Sequence, residues 1–396
     1  MKNKDFIFTG LQPWDIPIGS NAVDIAREVS RNNRVLYVNR ASDIMTLLRS
    51  RRNIASGGDS SGKIRRDSLR RITDSLFILD LPITAWSVNG LPDGPAFDLL
   101  NWHNNLRTFR FIRKIAAGLH FNDPVHFIDN DIYRSFYSRE ILKPSLSVYY
   151  RRDNLLPFTY WRKHAVRLEP GLIAKSDLVV CNSPQLASFA KQYNPESYDV
   201  GQGVDLSAYD PDTINTVPSG LAMIPEPRIG YIGDINSMRL DADLICRLAQ
   251  SRPDYSFVLI GTEDMLFRSH ALHSLGNVYF PGRIPKDRVP EYISALTVCL
   301  NPQILNEVTA GNYPRKVDEY LAMGKPVVAT RTGTMELFRE HAYLCSSLEE
   351  YQQATDAAIR EDNIDRQRAR ISFARSHSWQ NSVNRIYDHI NDKIKS

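Results

Sequence analysis

The sequence has few cysteines, little net charge and no long apolar run, and each shortage excludes something. Cys181, Cys246, Cys299 and Cys345 stand far apart, each within an apolar stretch such as TVCL. They read as small buried hydrophobes of a reducing compartment, not as a disulfide framework or a thiolate metal site. No run reaches the ~18–20 apolar residues that cross a bilayer. The opening MKNKDFIFTG lacks the apolar core and small-residue cleavage site of a secretion signal, so a cytoplasmic chain is expected. A formal charge of +4 on 396 residues gives no global nucleic-acid signature.

Several catalytic signatures are also missing. There is no G-x-x-x-x-G-K-[ST] phosphate loop and no G-x-S-x-G elbow, which argues against a nucleoside triphosphatase or a serine hydrolase. GLQPWDIPIG is not the dinucleotide fingerprint. His270 and His273 have no third ligand at metal spacing, and Asp129, Asn130 and Asp131 are too few for a cation cage. We assign no metal.

What is present is alternation. Apolar runs such as FIFTG, RVLYV, LFILDL, PVHFID, LSVYY and DLVVCN are separated by helical patterns, the form of parallel βαβ units covered on both faces. Ala22, Ile25, Ala26 and Val29 share one helical face that Ser20 or Asn21 could cap. Residues 207–227 are rich in proline and turn formers and read as a linker. A second α/β series follows, RIGYIG, SFVLIG, NVYF, TVCLNP and PVVAT, with helices between. The expected division is 1–206, linker 207–227, 228–375, and a terminal helix 376–396 returning to the first domain.

Charge is uneven. Residues 49–71 hold eight Lys or Arg against two Asp. Their Gly and Ser content suggests a solvated loop, or a surface for anionic lipid or a phosphate-bearing acceptor. Trp86, Phe97, Trp102, Phe109 and Phe111, interleaved with Arg107, Arg110, Arg113 and Lys114, read as core packing or as an amphipathic region beside that loop.

The stretch NYPRKVDEYLAMGKPVVAT, residues 312–330, poses a sharper question. Pro314 suits the start of a helix that Gly324 ends, with Val317, Tyr320 and Leu321 on one apolar face. Arg315 and Lys316 then sit at the positive end of the helix dipole, where bases are disfavoured. A bound phosphate reverses that sign. Glu319, one turn deeper, suits sugar hydroxyls, so a nucleoside diphosphate explains all three charges. The plain alternative is an exposed amphipathic helix with a weak Lys316–Glu319 pair.

From 228 onward the sequence resembles the carboxyl-terminal domain of the GT-B glycosyltransferases, in particular the large retaining family (family 4, group 1-like) that includes many bacterial polysaccharide enzymes. The matching pieces are IGYIGDINSMRLDADLICRLAQSRPDYSFVLIG, NVYFPGRIPKDRVPEYISALTVCLNP and YPRKVDEYLAMGKPVVAT. GLQPWDIPIGSNAVDIAREVSRNNRVLYV, SDLVVCNSPQLASFA and GQGVDLSAY are similar more loosely. The resemblance implies an α/β fold of two facing Rossmann-like domains, the first taking the acceptor and the second the donor, with the active site in the interdomain cleft.

It implies that Glu319 binds the donor's ribose and that Arg239 and Lys316 contact the diphosphate, with Gly233, Arg315, Tyr313 and Pro314 around them. Gly19, Ser20 and Asn21 would face donor and acceptor, and Asp129, Asp131 and Asp153 end strands on the acceptor side. Two departures stand out. Gly311 occupies the position of a second glutamate eight residues before Glu319, so Glu307 becomes the candidate substitute, and Asp234 stands where the family often has arginine. His126 reads as a buried strand residue, and Arg151 and Arg152 end a strand beside Asp153.

The expected activity is transfer of a sugar from a UDP- or GDP-sugar to a saccharide or lipid-linked saccharide acceptor, with retention, without metal or further cofactor. It would serve polysaccharide synthesis in the cytoplasm, with peripheral inner-membrane contact through the 49–71 loop and no nucleic-acid partner. A nucleotide-sugar epimerase of the same fold and a catalytically weak nucleotide-sugar-binding partner are the alternatives.

Overall fold

Strands form where apolar residues run without alternation, because both faces of these sheets are covered. The computed structural model describes residues 1–16, 19–46, 68–214, 216–306, 309, 311 and 313–395. It divides into two compact units, Met1–Gly201 with Ser382–Ser396, and Gln202–Asn381.

The first unit contains β1 (Asp5–Gly10), β2 (Arg34–Asn39), β3 (Ser42–Asp43), β4 (Leu69–Arg71), β5 (Leu76–Asp80), β6 (Thr84–Ala85), β7 (Val125–Asp129), β8 (Leu146–Arg151), β9 (Leu178–Cys181) and β10 (Ser197–Asp199). Eight of them make one sheet in the order β10-β9-β8-β7-β1-β2-β5-β4, parallel except for β4 against β5, while β3 and β6 form a separate ladder. Helix Asn21–Ser30 buries Ala22, Ile25, Ala26 and Val29 as the spacing predicts. Ser20 occupies its N-cap position with extended backbone, yet its side chain makes no capping bond.

The second unit contains β11 (Arg228–Ile232), β12 (Ser256–Ile260), β13 (Val278–Tyr279), β14 (Val298–Asn301), β15 (Val327–Thr330) and β16 (Tyr343–Cys345). They form a parallel sheet in the order β13-β12-β11-β14-β15-β16. Strand alternation sorts its core: Val298 and Leu300 pack on one face with Ile229 and Phe257, and Cys299 on the other with Val317, Tyr320 and Leu321. The 207–227 stretch is not a free linker. Tyr209, Leu221 and Ile224 are buried in this core, so its turn formers shape a packed segment.

All four cysteines are buried and free. Of the aromatics between 86 and 111, Phe97 and Phe109 are core residues, whereas Trp86 and Trp102 are exposed. No described helix is long and apolar enough to cross a membrane.

Arg151, at the end of β8, is itself buried. Its Nε donates to Glu169 Oε1 at 2.9 Å, and both side chains are almost wholly out of water. This residue is therefore a structural ion-pair member. Arg151→Met should cost about 3–5 kcal/mol by stranding the Glu169 carboxylate. Arg151→Met with Glu169→Leu should recover most of that, and urea midpoints of the single and double variants check it.

Candidate functional site

In the second unit the chain builds outward from β11 through β12 to β13, then returns to add β14 on the other side. The strand order therefore reverses between β11 and β14, and the carboxyl ends of strands at such a reversal are where these sheets take ligands. Gly233 follows β11 with φ +150°, a backbone that favours glycine, and a Cβ there would lie 2.6 Å from Lys316 Nζ. Gly261, after β12, is tighter still, since a Cβ would meet the Gly233 carbonyl oxygen at 1.7 Å. Two adjacent strands thus end in side-chain-free turns.

The opposite wall is helix Arg315–Ala322, with Pro314 at its N-cap, one residue before the first helical position. Tyr320 is fully buried, and its hydroxyl lies 2.9 Å from the Ile232 amide that donates to it. The helix is thereby fastened to the end of β11. Gly324, at φ +71°, ends the turn as expected.

Lys316 lies across this junction. Its ammonium sits 3.8 Å from the Tyr231 ring centroid and hydrogen-bonds the Tyr231 hydroxyl. Burial, reinforced by the charge of Arg239 and opposed by Glu319 and Asp234, pushes its pKa down to about 7. Arg239 is exposed on the loop after β11, and its carbonyl accepts from the Ile304 amide at 3.0 Å. That bond and the Asn306 Nδ2 donation to Met238 O at 2.8 Å join the loop to the one after β14.

Glu319 is partly buried one turn below, and burial raises its pKa against the pull of Arg315, Lys316 and the Tyr209 hydroxyl that donates to it. Tyr313 contacts His377 at 3.2 Å, and His377 Nδ1 lies 2.7 Å from the buried Asp318 carboxylate. Gly233, Arg239, Tyr313, Pro314, Arg315, Lys316 and Glu319 are therefore gathered around one helix start. Glu307 lies outside the described residues. Gly311 has φ +77°, a left-handed backbone suited to glycine and not to the glutamate of the resemblance.

The first unit has its own divergence point between β1 and β7, where Gly10 pairs with Asp129. Asp129 is fully buried. Burial raises its pKa while Arg152 lowers it, and Arg152 Nε donates to it at 2.7 Å. The same guanidinium bonds Asp153 at 2.7 Å. Asn21 Nδ2 donates to the Tyr150 hydroxyl at 3.2 Å, with Gly19 and Ser20 just ahead. Asp131 is not part of this group; it lines a cavity on the same unit with Arg134.

His126 is buried, its Nε2 3.0 Å from Thr9 Oγ1, and burial drives its pKa down to about 3. It is a neutral strand residue. Of the basic 49–71 segment, residues 49–67 lie outside the described residues. Arg70 is ion-paired to Asp15 and Asp80, and Arg71 to Asp74. Among the described residues no group of three or more His, Cys, Asp or Glu could hold a metal. His270 and His273 instead meet Asp243 and Glu263.

A family model for glycosyl transferases group 1 matches residues 226–361, the segment that carries this helix and its glycine turn. Residues 226–361 are a group 1 glycosyltransferase domain. A Bacillus subtilis (strain 168) protein named as a teichuronic acid biosynthesis glycosyltransferase, TuaH, is 26% identical over 201 residues, 48% of this chain and 50% of its own length. The chain thus spans about half the length of the curated relative it matches.

Solved glycosyltransferase structures share the fold. A glycosyltransferase from Rickettsia africae superposes with TM-score 0.66 at 13% identity, over 100% of this chain and 99% of its own. Anabaena HepE, solved with UDP and glucose, gives TM-score 0.61 at 17% identity over 98% and 99%. Sucrose-phosphate synthase from Thermosynechococcus elongatus gives 0.65 at 13% identity over 100% of both chains. The fold is GT-B.

Within the second unit, Tyr231, Tyr209, Gly261 and the Asp318–His377 pair were missed by sequence reasoning. Only Gly261 carried a signal, since SFVLIG repeats the strand-then-glycine pattern of RIGYIG.

A lysine held near pKa 7 when folded and near its ordinary 10.5 when unfolded weakens the fold most below pH 7, and this penalty fades as pH climbs toward 10.5. Lys316→Met should therefore stabilise the unliganded protein at pH 6, by on the order of 2 kcal/mol after allowing for residual solvent. The gain should shrink by pH 9. Melting temperatures of both proteins across that range test it, and a pH-independent difference would contradict a desolvated ammonium.

Proposed function

We propose that the protein transfers a sugar from a nucleotide-diphosphate sugar to a saccharide or lipid-linked saccharide acceptor, with retention, in polysaccharide synthesis. The observation that carries the reading is Lys316 against Gly233 at the helix start, with Arg315 beside it and Glu319 a turn deeper. Cations at that end of a helix are unfavourable alone and favourable once an anion binds. Glu319 would take the ribose hydroxyls, and Lys316, Arg239, Arg315 and the first-turn amides the diphosphate.

As the sugar–oxygen bond breaks, its electron pair stays on the diphosphate, and these groups stabilise the growing charge. The same leaving oxygen accepts the proton of the incoming acceptor hydroxyl. No separate protein base is then needed. A UDP-sugar is the first donor to test, since HepE was solved with UDP and glucose; a GDP-sugar is the second. We assign the enzyme to the cytoplasm, working on an acceptor at the inner membrane face.

Gly311 favours a second reading. With glycine-specific backbone where the family carries an acid, the protein would bind nucleotide sugar without turning it over, as a partner in an assembly complex.

Nucleotide at about 100 times its dissociation constant should stabilise the fold by roughly 2.7 kcal/mol. UDP, GDP, ADP and dTDP are compared by thermal shift on wild type, Glu319→Ala and Lys316→Ala. A base-selective shift, reduced in both variants, is expected, and no shift with any nucleotide in a folded sample would sink the donor site. Transfer or hydrolysis of the bound donor then separates the enzyme from the binding partner.

A further inference from the structure

The first unit contains a cavity of about 770 Å3 whose only residue named above in a functional role is Asp131. Protein cores leave few voids larger than a water molecule, and small-molecule sites occupy ~300–1,000 Å3. This space lies beyond the carboxyl ends of β1 and β2, with Gly10 and Asn39 on its wall. Its other sides come from the β3–β6 ladder and from helix Pro95–Gly118.

Two kinds of surface meet there. Val38, Leu81, Val88, Phe109 and Ile112 supply apolar walls. Met45, Trp86 and Tyr160 also line the cavity yet remain 48%, 47% and 56% exposed. Large apolar side chains gathered at an open mouth mark a surface that something covers.

The polar lining is incomplete. Asn101 is 2% exposed, and its Nδ2 has no hydrogen-bond partner among the described residues. Arg134 Nη1 is buried and makes no hydrogen bond among the described residues, its ion-pair partner Asp131 lying 3.9 Å away. Buried donors without acceptors are uncommon in native folds, and two at one cavity ask for ligand oxygens. Arg40 adds a further cation, while Asp43 is occupied by Thr46 and Ser87. Burial also raises the pKa of Asp131, which eases the approach of an anion.

A bare saccharide would satisfy the donors and leave the apolar wall wet. A plain hydrocarbon would do the reverse. We propose that this cavity takes an amphipathic acceptor, its hydrocarbon chain along the apolar wall and rim and its phosphate-bearing head on Asn101 and Arg134. The proposal rests on the glycosyltransferase reading, and within it selects a lipid-linked acceptor over a free saccharide.

The test uses the full chain and alkyl phosphates of two to twelve carbons, below their micelle concentrations, titrated by calorimetry and Trp fluorescence. Affinity should rise about fourfold per added methylene until the cavity is full. Inorganic phosphate and methyl glucoside should bind at least about a hundredfold more weakly than the decyl compound. Val88→Trp, which fills the cavity, should abolish the dependence on chain length, and Thr108→Phe serves if that variant fails to unfold cooperatively. Arg134→Gln should weaken every member about equally and keep the slope.

Affinity independent of chain length, or a slope untouched by both filling variants, overturns the proposal. The nucleotide thermal shift on the same sample separates the two readings. Chain-length dependence without a nucleotide shift keeps the lipid site and removes the transferase reading. A nucleotide shift without chain-length dependence removes the lipid site alone.

Discussion

The missing side chain at Gly233 is the constraint on which the second unit's site depends. Any Cβ there would strike the Lys316 ammonium and crowd the Tyr231 hydroxyl. Glycine lets a helix-borne cation reach the end of a strand whose own backbone is held by Tyr320. Gly261 extends the same requirement to the neighbouring strand, where only a hydrogen fits under the Gly233 carbonyl. The Gly261 turn is fixed by backbone contact, whereas at Gly233 the positive φ sets the glycine requirement and the lysine tip beside it can shift.

The two divergence points treat charge in opposite ways. In the first unit Asp129 is paired through one oxygen to Arg152, which also holds Asp153, so one guanidinium answers both acids. In the second, the ammonium has an aromatic face and a hydroxyl for company, and burial, with Arg239, makes its charge harder to keep against the pull of Glu319 and Asp234. Such a group gains its proton easily when negative charge arrives and gives it up when the charge leaves. Its response to an incoming anion is consequently larger than that of an exposed lysine.

Much of this was legible in the sequence, for identifiable reasons. The strands could be read because burial on both faces leaves near-continuous apolar runs, as in SFVLI and LVVC. The helix at 315–322 could be read because its start and stop are written in Pro314 and Gly324. The short strands β4, β10 and β16 escaped because three residues are too few to set a period. The packing of 207–227 escaped because Tyr209, Leu221 and Ile224 are scattered among turn formers. Tyr231 escaped because it reads as one more core aromatic until the helix 85 positions later delivers Lys316 to its ring. The cavity escaped entirely, since its lining comes from strands, loops and helices spread between Thr9 and Tyr160.

The helix Trp379–Lys395 carries a consequence for how the chain folds. Its Tyr387 hydroxyl accepts from Asn33 across 354 positions, and Val383, Ile386 and Ile390 are buried in the first unit with it. Closing so long a loop from an unfolded chain is entropically costly and slow. The second unit, continuous from Gln202 to Asn381, faces no such delay. Once it has formed, it shortens the remaining loop and brings both ends of the first unit's chain within reach. Forming the continuous unit first would lower the entropy cost of closing the discontinuous one.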